Sequence, residues 1–278
     1  MRNECVEYFY ETRVGKPRLQ RHDVPNQKGD AMEPHYLDTP QGRRIAYHKT
    51  EGHGPTVVFL GGFMSDMEGS KATYLENWAQ ARGCSYLRFD YSGHGQSSGV
   101  FVDGCIGDWF ADARAVIEAT TDGPLVLVGS SMGGWMSLLL CRAMLKRVVG
   151  LVTIAAAPDF TEDSMWAGFD DAQRQALETD GVVYLPSDYG DPYPITKRLI
   201  EDGRNNLVMR DPMHFGFPVR MLQGTEDTAV TRDTALRLLD HIQADDMQLT
   251  FVKGGDHSLS TPENLSLICD AIKSVLSS

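Results

Sequence analysis

Three residues far apart in the chain can together make a nucleophile: Ser131, Asp227 and His257. A serine hydroxyl attacks a carbonyl at neutral pH only when a neighbouring base takes its proton, and a carboxylate is needed to orient that base. Ser131 is the centre of Gly129-Ser130-Ser131-Met132-Gly133, which follows the apolar run from Pro124 to Val128. The pentapeptide has the G-x-S-x-G form of a sharp strand-to-helix turn with the serine at its apex. Leu125 to Val128 reads as a short buried strand bounded by Gly123-Pro124. Met132 to Leu145 reads as a helix with Leu138, Leu139, Leu140, Ala143, Met144 and Leu145 on its buried side. Gly129 and Gly133 omit side chains for which such a turn has no room. A Gly/Ser turn without chemistry is the plainer alternative, and the strand and helix flanking it argue against that.

The orienting acid and the base are expected downstream of the serine, in that order. Two strand-like segments end in suitable residues. Phe217 to Gly224 runs into Thr225-Glu226-Asp227, and Met247 to Lys253 runs into Gly254-Gly255-Asp256-His257. Asp227 and His257 are therefore the expected acid and base. Glu226 competes for the first role and His241 for the second, but His241 falls within the helical pattern Thr234 to Ile242, where a histidine serves packing or the surface. Asp256 adjoins His257, yet neighbours leaving a strand point apart, so it is expected to bond within its own loop.

The elements that must position these groups form a regular series. Strand-like runs recur at 56–61, 85–90, 124–129, 148–155, 217–223 and 247–253, separated mostly by helical patterns. That alternation predicts a parallel α/β sheet with helices on both faces. The near-continuous apolar run from Val148 to Ala155 suits a central parallel strand. Tyr36 to Lys49 is expected to form an edge hairpin turning at Pro40-Gln41-Gly42. The stretch 157–216 is too long for one crossover helix and contains Trp166, Phe169, Tyr184, Tyr189 and Tyr193, with Pro186, Pro192 and Pro194. It is expected to make a small cap whose aromatics, Trp166 and Tyr184 among them, line an acyl pocket. The alternative is a surface excursion whose aromatics pack on the main core.

From about residue 36 onward these residues resemble the α/β-hydrolase superfamily. Within it, Phe59 to Lys71, Arg88 to Gly99 and Tyr193 to Gly203 are similar to the branch containing a mitochondrial palmitoyl-protein thioesterase and its bacterial relatives. The resemblance implies an α/β-hydrolase fold: a mostly parallel central sheet flanked by helices, spanning 35–278, with the cap inserted at about 157–216. It also implies an oxyanion hole for the tetrahedral alkoxide, donated by the backbone N–H groups of Phe63 and Met132. Many relatives carry His-Gly before the first of these, where this chain has Gly61-Gly62. That exchange removes a supporting side chain and leaves the donor. The implied activity is a serine hydrolase cleaving carboxylic esters or acyl thioesters through an acyl-enzyme, with no cofactor. A carbon–carbon bond hydrolase would use the same three residues but needs cations to hold a substrate carboxylate; Arg88 and Arg204 are candidates, with surface salt bridging the plainer role of each. A non-catalytic member would use the pocket to bind a small ligand. A haloalkane dehalogenase needs an aspartate where this chain has Ser131.

Other chemistry is excluded by spacing. Gly62 to Lys71 ends in Gly-Ser-Lys without the P-loop interval, and Gly93-His94-Gly95 with Gly99 lacks the third glycine of a dinucleotide fingerprint. No H-E-x-x-H, paired C-x-x-C or EF-hand loop occurs, so no metal is implied. A net charge of −12 disfavours nucleic acid and anionic membrane surfaces and says little about a neutral ester; a small-molecule ester or acylated thiol is the partner that the resemblance implies. No run approaches the ~18 apolar residues of a membrane span. Residues 1–34 lack an apolar signal core, and their acidic residues argue against a transit peptide. They read as a flexible extension, or as sequence upstream of a functional start at Met32. Five scattered cysteines (Cys5, Cys84, Cys105, Cys141, Cys269) have no disulfide-framework spacing, which suits a reducing interior. A bacterial cytoplasm is the expected setting.

Overall fold

Alternating apolar residues decide which face of the sheet each helix covers. The computed structural model describes residues 33–185 and 192–277, and from Pro34 onward these belong to one compact unit. The N-terminal extension, apart from its last two residues, lies outside the described residues, as do Pro186 and Tyr189. In chain order the first elements are β1 (His35–Asp38), β2 (Arg44–Thr50), β3 (His53–Leu60), α1 (Ser70–Arg82), β4 (Cys84–Phe89) and α2 (Ile106–Thr120). They are followed by β5 (Leu125–Ser130), α3 (Met132–Ala143) and β6 (Val148–Ile154). After a long insertion come β10 (Val219–Gly224), α6 (Arg232–His241), β11 (Ile242–Ala244), β12 (Met247–Val252) and α7 (Pro262–Leu276).

The main sheet has the order β1-β2-β4-β3-β5-β6-β10-β12. β1 and β2 form the edge hairpin, β2 pairs antiparallel with β4, and every pairing beyond that is parallel. Val57, Phe59, Val126 and Val128 pack with Leu75 of α1 and Ile268 and Ile272 of α7. The intervening Val58, Leu60, Leu125 and Leu127 pack on the opposite face with Trp109 of α2 and Trp135 and Leu139 of α3. Each fully buried aliphatic side chain contributes about 1.5–3 kcal/mol, so a one-residue register shift would exchange both cores at once. The sheet is the α/β-hydrolase arrangement expected from the sequence.

Local signals set the helix ends. α1 stops at Gly83, whose φ of 66° accommodates the left-handed turn. Thr231 and Thr261 accept hydrogen bonds from the Thr234 and Asn264 amides and so cap α6 and α7. α3 ends two residues earlier than expected: Ala143 and Leu145 are exposed, while Met144 is buried. The helix breaks at Met144, whose φ of −125° leaves the helical range, and Leu145 turns outward with the chain.

The insertion between β6 and β10 starts with a π-helical turn, Thr161–Trp166, and continues through α4 (Asp171–Asp180). The antiparallel strands β7 (Val182–Leu185) and β8 (Tyr193–Thr196) follow, then α5 (Lys197–Asn205) and β9 (Met213–Phe215). A reciprocal box between Asp170 and Gln173 starts α4, and the Thr196 hydroxyl, accepting from the Leu199 amide, starts α5. Two carboxylates hold the insertion, one joining its two ends and one tying it to α2. Asp159 accepts from the Val208 and Met209 amides at 2.8 and 2.9 Å, and Asp202 accepts from the Gly107 amide of α2 at 2.6 Å.

Candidate active site

β5 enters α3 through Ser131, whose φ of 55° and ψ of −119° are costly for a residue with a side chain, about 1–3 kcal/mol. Three hydrogen bonds hold it there. Its amide donates to the Ile154 carbonyl at 2.9 Å, and its carbonyl accepts from Gly134 at 2.9 Å and Ala157 at 3.0 Å. The two glycines are required by close approach: a Cβ on Gly129 would overlap Ser137 Oγ and the Gly133 carbonyl, and one on Gly133 would overlap the Leu60 carbonyl. The turn lifts Ser131 above the carboxyl ends of the parallel strands.

His257 leaves the loop after β12 and Asp227 the loop after β10, on adjacent parallel strands. The imidazole bridges the other two residues, with Nε2 at 3.0 Å from Ser131 Oγ and Nδ1 at 2.9 Å from Asp227 Oδ2. The Asp227 side chain is fully buried and the His257 side chain 27% exposed. Asp227 Oδ1 accepts from the Ala229 and Val230 amides at 2.9 and 2.8 Å, and Oδ2 accepts from Gln223 Nε2 at 2.9 Å. Burial alone would raise the Asp227 carboxyl, but the His257 and Val230 hydrogen bonds, the His257 charge and the Gln223 amide outweigh it. The group is held below the usual carboxylate range. It is therefore an anion at neutral pH, aimed at the imidazole.

The competing residues stand elsewhere. Glu226 is exposed, and His241 bonds the Val208 carbonyl through Nε2 at 2.8 Å. Asp256 accepts from the Leu259 amide at 2.8 Å, within its own loop.

The turn after β3 runs alongside the serine, with a Cβ placed on Gly62 falling 3.4 Å from Ser131 Cβ. The Phe63 amide follows on this turn, and the Met132 amide opens α3. Neither donates to a backbone acceptor among the described residues. At the start of α3 the Met132 amide and the helix dipole favour negative charge.

Two cavities meet at Ser131 and His257. One, of about 390 Å³, is walled by Phe63, Phe160, Met165, Tyr193, Ala229 and Val230. The other, of about 220 Å³, is lined by Ser65, Asp66, Lys71, Ser258 and Ser260. Lys71 reaches from α1 to the His257 loop, where its ammonium donates to the Ser258 carbonyl at 2.5 Å and approaches Ser260 Oγ at 3.4 Å. Burial lowers the Lys71 pKa from the usual lysine value, against the nearby Asp256 charge.

Of the aromatics expected at the pocket, Tyr193 lines it, whereas Trp166 and Tyr184 are not among its lining residues. Tyr184 is 63% exposed on β7. The Trp166 ring lies under the guanidinium groups of Arg174 and Arg204, at 5.2 and 4.6 Å. Neither arginine proposed for a substrate carboxylate lines either cavity. Arg204 pairs with Glu162 at 2.7 Å. Arg88 is buried rather than at the surface, paired with Glu68 at 2.7 Å and Glu76 at 2.8 Å beneath α1. Phe160, Gln223 and Lys71 are site neighbours that sequence reasoning did not single out. No local pattern marks them, because each reaches the site through the tertiary fold. Among the described residues, no group of three or more His, Cys, Asp or Glu side chains could hold a metal ion.

Comparison with known proteins agrees with this architecture. The model of the alpha/beta hydrolase family matches residues 57–265. The human mitochondrial palmitoyl-protein thioesterase ABHD10 is 30% identical over 243 residues, covering 87% of this chain and 79% of the relative. A crystal structure from Agrobacterium vitis S4 superposes with a TM-score of 0.84 at 39% identity, covering 88% of this chain and 98% of that one. The structure of mouse alpha/beta hydrolase domain-containing protein 10 gives 0.81 at 28% identity, covering 88% and 99%. The matched region runs from β3 into α7 and takes in Ser131, Asp227 and His257, and the chain belongs to the alpha/beta hydrolase family.

Proposed function

We propose that the protein is a serine hydrolase of carboxylic esters or acyl thioesters, working through an acyl-enzyme on Ser131. The observation that carries this reading is the unbroken relay from Ser131 Oγ through His257 to the buried Asp227, at 3.0 and 2.9 Å. His257 Nδ1–H donates to Asp227, which leaves the Nε2 lone pair for the serine proton. Ser131 attacks the acyl carbonyl as that proton moves to Nε2, and Asp227 stabilises the imidazolium. The amides of Phe63 and Met132 receive the oxyanion, at the positive end of α3. His257 then protonates the departing alcohol or thiol, and a water activated by the same imidazole releases the acid.

The apolar chamber under the 157–216 insertion fits the acyl chain, and this insertion acts as the cap. Phe160, Met165 and Tyr193 come from it, while Phe63 closes the other wall. The naming of the human relative as a palmitoyl-protein thioesterase supports acyl thioesters as substrates. The placement of Arg88 and Arg204 in ion pairs away from both cavities favours this reading over carbon–carbon bond hydrolysis. Cys84, Cys105, Cys141 and Cys269 are free thiols, which suits a reducing cytoplasm.

The test is hydrolysis of p-nitrophenyl esters and matched acyl thioesters of increasing chain length, with Ser131→Ala alongside. Turnover lost in the variant supports the nucleophile, and the optimum length gauges the chamber. Undiminished turnover by Ser131→Ala, or none by the wild type at any length, overturns the reading.

A further inference from the structure

Within the oxyanion turn Gly61 and Gly62 precede Phe63, the Ser65 hydroxyl donates to the Gly62 carbonyl at 2.9 Å, and Met64 is 45% exposed with a φ of 55°. The Met64 side of the turn is held from outside it, by His94 on the Gly93-His94-Gly95 turn that follows β4. The Met64 amide donates to His94 Nε2 at 3.3 Å, one residue beyond the proposed oxyanion donor. On the other side of the ring, Nδ1 lies 3.1 Å from the Ser92 carbonyl, which can only accept. Nδ1 must therefore carry the proton, and Nε2 keeps the lone pair that Met64 needs.

The ring itself is fixed. His94 is 4% exposed and boxed edge-to-face by Tyr91, Phe101 and Trp109, with centroids 5.6, 5.2 and 5.1 Å away. The Trp109 indole N–H donates to the same Ser92 carbonyl at 3.1 Å. Phe63 rests its own ring on this cage, 4.9 Å from Phe101 and 5.9 Å from Trp109. Both ends of the Phe63–Met64 peptide are thus anchored to the cluster around His94, one by packing and one by a hydrogen bond. Burial lowers the His94 pKa, against the Ser92 carbonyl and the Asp112 carboxylate of α2, which keeps the ring neutral.

We propose that His94 is a positioning residue for the oxyanion hole, holding the Phe63 amide toward Ser131 by accepting the neighbouring Met64 amide. The inference rests on the serine-hydrolase reading above. Removing an oxyanion donor costs about 10²–10³ in kcat, so a donor left in place but loosened should cost about 10- to 100-fold.

The experiment compares His94→Leu, His94→Asn and His94→Gln with the wild type and Ser131→Ala on one activated ester. Each rate is expressed per folded molecule. His94→Leu removes both contacts. His94→Asn can still donate to Ser92 but is too short to reach Met64, whereas the His94→Gln carbonyl can accept from Met64. Leu and Asn should lower kcat with KM little changed, and should weaken inhibition by a trifluoromethyl ketone, whose adduct carries an oxyanion, by a matching factor. Gln should recover most of both. If His94→Leu does not fold, the Asn and Gln pair decides the question. Unchanged kcat in His94→Asn, or a fall in kcat without weaker ketone inhibition, overturns the proposal. Activity surviving in Ser131→Ala would instead overturn the reading beneath it.

Discussion

Gln223 Nε2 and His257 Nδ1 share one acceptor, Asp227 Oδ2, each at 2.9 Å. Gln223 belongs to β10 and is almost fully buried, and it also donates to the Val230 carbonyl at 3.0 Å. It thus braces the short loop that carries the acid. Replacing Gln223 with leucine leaves the Val230 carbonyl without that donor and removes one of the two side-chain bonds that fix Asp227 Oδ2. The expected result is a kcat reduced about tenfold and a stability loss of about 1–3 kcal/mol. Ester kinetics and urea unfolding of Gln223→Leu check both, and wild-type kinetics in the variant would remove the brace from the account.

Asp227→Asn tests the acid itself. The carboxamide can donate to His257 Nδ1, turning the imidazole to the tautomer that cannot accept from Ser131. By comparison with the same change in other serine hydrolases, kcat should fall about 10³- to 10⁴-fold while KM moves little. Steady-state kinetics suffice to check it.

The same residue makes stability depend on pH. Its folded-state pKa is depressed, so its contribution is present above the unfolded value of about 3.9 and is lost as pH falls through the lower folded value. The stability difference between wild type and Asp227→Asn should therefore be constant from pH 7 to about 5 and shrink below about 4. Denaturant unfolding of both proteins across that range measures it, and a difference independent of pH would contradict the assignment.

Lys71 should separate activity from stability. Its ammonium bonds the Ser258 carbonyl beside His257, yet burial lowers its pKa, so the fold carries a cost for that charge at neutral pH. Lys71→Met removes the tie and the buried charge together. The melting temperature is expected to hold or rise while kcat falls about tenfold, an imbalance of roughly 1.4 kcal/mol in transition-state stabilisation. Thermal melts and kinetics on one preparation reveal whether the two change apart.

Chain-length preference should follow the chamber walls rather than every aromatic of the insertion. Phe160→Ala opens the cavity beside Phe63 and should move the ester optimum to longer chains, by about 1–3 kcal/mol of discrimination. Tyr184→Ala, at a side chain 63% exposed, should leave the optimum unchanged. An acyl-length series on the two variants distinguishes them.

The contrast between these residues also shows what a sequence can express. Ser131 was legible because its strained turn demands Gly129 and Gly133 at fixed offsets, and the flanking strand and helix are strongly apolar. Asp227 and His257 were legible because parallel strands deliver their loops to one edge of the sheet. Within the insertion the same reasoning failed for Tyr184 and Trp166. Pairing of β7 with β8 turned Tyr184 outward, and Arg174 and Arg204 drew Trp166 into a stack, neither of which spacing encodes. Gln223, Lys71 and His94 were silent for a related reason. Gln223 meets Val230 across a loop, Lys71 meets Ser258 from 187 residues away, and His94 meets Met64 from 30.

Covalent capture by a fluorophosphonate, read by intact mass and peptide mapping, tests the nucleophile most directly. A single adduct on Ser131, absent in Ser131→Ala and slowed by Asp227→Asn, is the expected result. An adduct on Ser130 or elsewhere, or no adduct on a folded wild-type protein, would contradict the assignment of Ser131 and with it the acyl-enzyme mechanism.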